Sequence, residues 1–120
     1  MREKLLGAWG EARAAEYLEK KGYRILSRGY QTRFGEIDLI AADAKFLAFV
    51  EVKTRKDDDF AEAWESVGAR KRARIRRTAE IWLYVYPAEL QPRFDVIEVY
   101  APAGVRTKNP EIRHWEDAFQ

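Results

Sequence analysis

The chain has no cysteine and a single histidine, His114. The first absence excludes disulfides, thiolate catalysis and cysteine-ligated zinc, and the second argues against histidine-built metal sites and triads. No apolar run is long enough to span a bilayer, and the charged start Arg2-Glu3-Lys4 leads into a mixed helix rather than a signal-peptide core. A cytoplasmic location away from the membrane is expected. Any one-sided charge is nearly absent too: the net charge is +2, too small to imply a nucleic-acid partner, so the placement of the charges carries the information. Chemistry must come from carboxylates, lysine or arginine. With 120 residues, the chain suits one domain, 1–120, large enough to bury about two-thirds of its unfolded surface.

What is present is concentrated in two segments, Gly35-Glu36-Ile37-Asp38-Leu39-Ile40 and Phe49-Val50-Glu51-Val52-Lys53. Both read as apolar strands that carry charges on one face: Glu36 with Asp38, and Glu51 with Lys53, while Ile37 with Leu39, and Val50 with Val52, point the other way. If residues 35–42 and 46–53 form a hairpin turning at Ala44-Lys45, Asp38 lies opposite Glu51 and Glu36 opposite Lys53. Opposed carboxylates repel. A divalent cation between Asp38 and Glu51 would remove the repulsion, and hard oxygen ligands suit Mg2+ or Mn2+. The competing reading is a Glu36–Lys53 salt bridge on a solvated sheet face, with Asp38 and Glu51 facing water.

Residues 3–21 read as a helix that stops at Gly22-Tyr23. Its pattern singles out Glu11, whose neighbours at helical spacing are Gly7, Ala8, Ala14, Ala15 and Leu18. Glu16, flanked by Ala12, Arg13, Glu19 and Lys20, reads as solvated. A snorkelling helix-edge glutamate is the alternative for Glu11. Arg24 to Arg28 is a short strand candidate. Asp57-Asp58-Asp59 opens an acidic loop, ending near Gly68, that reads either as a solvated loop or as a flap over a site.

A second helix is expected from about Ala69 to Tyr86, where Ile75, Ala79, Trp82, Leu83 and Tyr86 recur at helical spacing before Pro87. Its first half holds Arg70, Lys71, Arg72, Arg74, Arg76 and Arg77 and no acid. Cations at a helix start oppose the dipole, so something negative should bind there: nucleic-acid phosphate, or the acids from Asp57 to Glu65. A strand at 94–100 follows, and Ile112 to Trp115 could add a short edge strand. The order helix-strand-strand-strand-helix-strand, with a helical crossover between 46–53 and 94–100, predicts an α/β fold with a mixed central sheet in which those two strands run parallel.

Glu11 on a first helix, Asp38 on a second strand, Glu51-Val52-Lys53 on a third and a basic helix after them together resemble the PD-(D/E)XK nuclease superfamily, which includes the archaeal Holliday-junction resolvases. More closely, Gly10-Glu11, Ala15, Leu18, Gly22-Tyr23, Gly35 to Ile40, Phe49 to Arg55, Lys71 and Arg93-Phe94-Asp95-Val96 look like the YraN-type family of small bacterial predicted endonucleases. The resemblance covers residues 5 to 119, with Ile37 rather than proline before Asp38. It implies a restriction endonuclease-like core and a metal-dependent nuclease hydrolysing phosphodiester bonds of DNA, with branched or processed structures among the substrates.

On that resemblance Asp38 and Glu51 are the metal ligands, with the Val52 carbonyl as a third, since such carbonyls ligate in the superfamily. Lys53 orients the attacking water and stabilises developing charge, and Glu11 holds a second metal or a metal-bound water. Arg33, Arg55, Lys71 and Arg74 are phosphate candidates by proximity, and Arg70, Arg74 and Arg77 form one helical stripe. Two further readings stand beside the nuclease: a nucleic-acid-binding module of the same fold without significant catalysis, and a scaffold protein. DNA against RNA, and a homodimer against a monomer, are left open.

Overall fold

The computed structural model describes residues 2–56 and 67–120; the acidic loop of the sequence reading, and the counter-charges sought in it, lie outside the described residues. The elements follow in the order α1 (Arg2–Lys20), β1 (Arg24–Thr32), β2 (Gly35–Ala42), β3 (Phe46–Arg55), α2 (Ala69–Val85), β4 (Gln91–Tyr100), a short 3-10 turn and β5 (Glu111–Phe119). The five strands form one mixed sheet in sequence order, β1-β2-β3-β4-β5. Among the described strands only the β3–β4 pair is parallel, from Phe46↔Gln91 to Arg55↔Tyr100, as the helical crossover requires.

Each face of the sheet receives one helix. Ile75, Ala79 and Trp82 of α2 pack on Ile37, Ile40, Leu47, Phe49 and Val96, while Ala14, Ala15 and Leu18 of α1 pack on Leu39, Ala41, Ala48, Val50 and Ile97. The small residues on α1 bring it close to the sheet. At Gly10 the approach is so tight that an added Cβ would collide with the Thr54 side chain, so glycine there fixes how α1 crosses β3. Glu11 is the next residue.

The β2–β3 register is the expected one, running from Leu39↔Val50 to Ala42↔Leu47, but it ends before Asp38 could face Glu51. Beyond that point β2 parts from β3, and the expected alternation fails with it. Ile37 packs on the α2 side and Leu39 on the α1 side. The turn is set by Asp43, whose carboxylate accepts from the N–H groups of Lys45 (2.8 Å) and Phe46 (2.7 Å). Those two bonds hold the Asp43 carboxyl below its usual range. A side-chain-capped turn thus replaces the Asn-Gly signal that the sequence lacks.

Several strands outrun their sequence signals. β1 continues to Thr32 and β5 spans nine residues rather than the four of 112–115. β4 begins at Gln91, with Pro92 near its start, where a missing N–H is tolerated.

Candidate functional site

The parting of β2 from β3 creates the site. Where the ladder stops, the Val52 N–H would lack a strand partner; the Asp38 carboxylate accepts it at 2.8 Å. Burial pushes the Asp38 carboxyl up, the negative charge of Glu51 adds to the effect and Glu11 adds less, so that it rises from 3.8 to about 7 despite the Val52 bond and Lys71. Glu51 is 6% exposed and receives hydrogen bonds or ion pairs from two lysines: Lys71 of α2 donates to Oε1, and Lys53 Nζ lies 3.7 Å from the same atom. Glu11 enters from α1, half-buried, its carboxyl raised by burial and then by the charges of Glu36 and Glu51.

Four carboxylates from α1, β2 and β3 therefore feel one another, with two lysines as the internal counter-charge. The lysines divide the work. Burial and the neighbouring Lys71 charge lower Lys53, whereas for Lys71 burial, the largest single influence, is outweighed by the hydrogen bond and charge of Glu51 together with Lys53 and Asp38, so that Lys71 is raised. Lys71 is the more firmly charged of the two and Lys53 the more easily deprotonated. Lys71, a phosphate candidate by sequence proximity, joins the cluster itself, which spacing alone does not signal because a helix packed across a crossover cannot be phased against a strand.

Among the described residues no group of three or more His, Cys, Asp or Glu side chains is gathered as a ready metal cage. The donors that fit a hard cation are the Asp38 and Glu51 carboxylates, and the repulsion that raises Asp38 is what a cation would relieve. Such a set makes an open, partly hydrated site rather than a closed one.

Apart from Lys71, the expected phosphate contacts separate into two groups. Arg70, Arg74 and Arg77 are exposed on α2, and with Ala73 and Phe34 they line one groove. Arg33 joins them from the β1–β2 turn, its guanidinium 4.9 Å from the Phe34 ring centre. Arg55 is elsewhere. Its Nε donates to Glu98 at 2.8 Å, and Glu98, 1% exposed, also accepts from the Trp115 indole at 3.0 Å, so Arg55 helps to neutralise a buried acid.

A further buried ionic cluster went unread in the sequence. Arg93 makes a two-pronged contact to Asp95, both bonds at 2.8 Å, and its Nη2 donates to the Tyr23 hydroxyl at 2.5 Å. His114 Nε2 lies 2.7 Å from Asp95 and the Asp117 N–H donates to it at 3.0 Å. This cluster ties β4, β5 and the end of α1 together.

The model of the Uncharacterised protein family UPF0102 matches residues 10–99. The chain belongs to this family. The match begins at Gly10, where α1 crosses β3, and takes in Glu11, Asp38, Glu51, Lys53, Lys71 and the Arg93–Asp95 pair. Curated UPF0102 relatives resemble the chain over nearly its whole length: one from Pelotomaculum thermopropionicum is 45% identical, covering 97% of this chain and 96% of the relative. Another from Nocardia farcinica is 45% identical over 95% and 88%, and one from Syntrophotalea carbinolica is 43% identical over 95% and 90%. No helix among the described residues is long and apolar enough to cross a membrane.

Proposed function

We propose that this UPF0102 chain is a metal-dependent nuclease of the PD-(D/E)XK superfamily and YraN type, with a restriction endonuclease-like core, that hydrolyses phosphodiester bonds of DNA. The observation that carries the reading is the meeting of the half-buried Asp38 and buried Glu51 with Lys53 and Lys71 where β2 parts from β3, beside a helix start rich in arginine. Among the described residues this helix start has no acid in its first turn and no side-chain cap, so its positive potential lies next to the carboxylates. A phosphodiester needs both.

A divalent cation bound at Asp38 and Glu51 would neutralise the scissile phosphate and make its water more acidic. The chain's own groups do the rest. Lys53, depressed by its surroundings, is placed to orient that water and to stabilise charge as it develops. Glu11 faces the same space from α1 and can hold water there through its raised carboxyl. Lys71 can leave Glu51 for a phosphate oxygen, since both are anions. Arg70, Arg74 and Arg77 hold the flanking phosphates.

The second reading, a nucleic-acid-binding module without significant catalysis, is favoured by one fact: both lysines already sit on Glu51, so that carboxylate has its counter-charges without any cation. One experiment separates the readings. Purified protein is incubated with flapped, junction, linear and single-stranded DNA, with and without Mn2+, alongside Lys53→Ala and the combined Arg70→Ala, Arg74→Ala, Arg77→Ala variant. The nuclease reading expects Mn2+-dependent cleavage that Lys53→Ala abolishes while most binding survives, because Lys53 acts in the transition state. The arginine variant should weaken binding to every sequence, with a shallower salt dependence of about 0.9 in slope for each lost duplex phosphate contact. Binding without cleavage by any form would leave the module; no binding at all would sink both.

A further inference from the structure

Arg33 and Phe34 form the two-residue turn that joins β1 to β2, closed by the Thr32↔Gly35 pair. A large ring at a hairpin tip is a poor choice for the turn itself, where Asn, Asp or Gly serve best. Nor is the turn loose. Thr32 Oγ1 lies 3.2 Å from Thr78 Oγ1 on α2, and the Phe34 N–H donates to Thr32 Oγ1 at 3.1 Å. A Cβ on Gly35 would stand 3.4 Å from Arg74 Cβ, so the turn is seated closely on the helix. Phe34 is thereby held in a fixed position over α2.

The charged groups around that ring are, among the described residues, all basic. Phe34, Arg70, Ala73, Arg74 and Arg77 line the groove, and the guanidiniums of Arg33 and Arg77 lie 4.9 and 4.8 Å from the ring centre. None of the lining residues is acidic. Four arginines held around one aromatic ring repel one another, and a cation–π contact at an exposed site offsets little of that repulsion. The arrangement is suited to a ligand that brings negative charge and a flat π face together.

A nucleotide has both. Bases in a duplex, however, have their faces covered by neighbouring base pairs, so a ring fixed on a protein surface can stack only on a base that is unpaired. Arg70, Arg74 and Arg77, at spacings of four and three on one helix face, are placed to follow the phosphates on either side. Lys71, which reaches Glu51, is the neighbour of Arg70 in the chain, so one helix start serves both the groove and the carboxylates.

We infer that the Phe34 groove binds an unpaired nucleotide of a DNA strand, its base against the Phe34 ring and its phosphates on Arg70, Arg74 and Arg77. This rests on the nucleic-acid reading above and adds to it the strand state that is recognised.

The test measures binding in EDTA, so that no strand is cut, to a single-stranded oligodeoxynucleotide carrying 2-aminopurine and to the blunt duplex of the same sequence. The wild type should bind the single strand more tightly than the duplex and quench 2-aminopurine on binding. Phe34→Ala and the volume-keeping Phe34→Leu should each weaken single-strand binding by about 5- to 100-fold, the range of one stacked base, and remove the quench. Duplex affinity should move less than about twofold, and Phe34→Trp should restore the quench. If Phe34→Leu binds the single strand like the wild type, or loses single strand and duplex equally, the stacking role is wrong while the nucleic-acid reading stands. If the wild type binds neither, both are wrong.

Discussion

The Asp38 carboxylate accepts the Val52 N–H at 2.8 Å and so closes the end of the β2–β3 ladder. One side chain thus does two things: it satisfies a backbone donor and brings a buried acid beside Glu51. The local structure is built at the expense of electrostatic strain.

That strain has a pH signature. Asp38 rises from 3.8 to about 7 through burial and the Glu51 charge, so between these values the native protein keeps a proton that the unfolded chain has lost. Native stability should therefore fall as pH rises from about 4 to about 7. Asp38→Asn should flatten this fall and leave the protein more stable by about 1–2 kcal/mol at pH 8, after allowance for solvent screening. Mn2+ should raise the melting temperature of the wild type and not of Asp38→Asn. A wild-type melting curve that ignores millimolar Mn2+ would argue heavily against the cation site.

Lys71 offers a separate check, because it holds Glu51 from another element. Lys71→Met should lower stability without metal by no more than about 1 kcal/mol, since the lysine is partly solvated. The Mn2+-induced rise in melting temperature should become larger, as a competitor for Glu51 has gone. A smaller rise would mean that Lys71 supports the cation's ligands rather than competing with the cation.

The two helix glutamates should behave differently. Glu11 lies among the raised carboxyls, whereas Glu16 is exposed and pairs with Arg13 on its own helix at 2.5 Å. Glu11→Gln should reduce Mn2+ stabilisation or cleavage at least tenfold; Glu16→Gln should change either by less than twofold. Gly10→Ala should cost about 1–3 kcal/mol through its collision with Thr54, and Thr54→Ala should recover part of that loss. Equal effects of the two glutamate variants in titrations and assays would show that α1 presents the other face.

Much of this architecture is written in local pattern. Ile75, Ala79 and Trp82 at helical spacing, Ala14, Ala15 and Leu18 on α1, and the continuous apolar runs 39–42 and 47–50 each specify an element and what it buries. The β2–β3 register followed from placing the turn at Ala44-Lys45, and Asp38 still feels Glu51 although the pairing stops one rung short. What escaped depends on partners distant in sequence. β1 and β5 are sheet edges with many polar residues, so only their neighbours make them strands. Glu98 and Asp95 interrupt apolar strand residues as Asp38 and Glu51 do, and only Arg55, Trp115, Arg93 and His114 distinguish structural acids from the candidate site. Lys71 reaches Glu51 across the crossover, beyond the reach of any spacing rule.

The Arg93–Asp95 pair gives the opposite pH response to Asp38. Burial alone would raise Asp95, but hydrogen bonds from His114, Arg93 and the Asp117 N–H outweigh it and hold the carboxyl below its usual range. A depressed native carboxyl stabilises the fold above the unfolded value of 3.8 and loses that contribution as pH falls through the lower native value. The cluster should therefore govern acid unfolding below about pH 4, while Asp38 shapes the curve between about 4 and 7. Arg93→Leu leaves a buried, partly unpaired carboxylate and should cost about 3–5 kcal/mol in urea unfolding at neutral pH. Asp95→Asn should flatten the acid limb and leave the Asp38 limb in place. If both limbs moved together in either variant, the two buried acids would be coupled through the sheet, and the separation drawn between scaffold and site would fail.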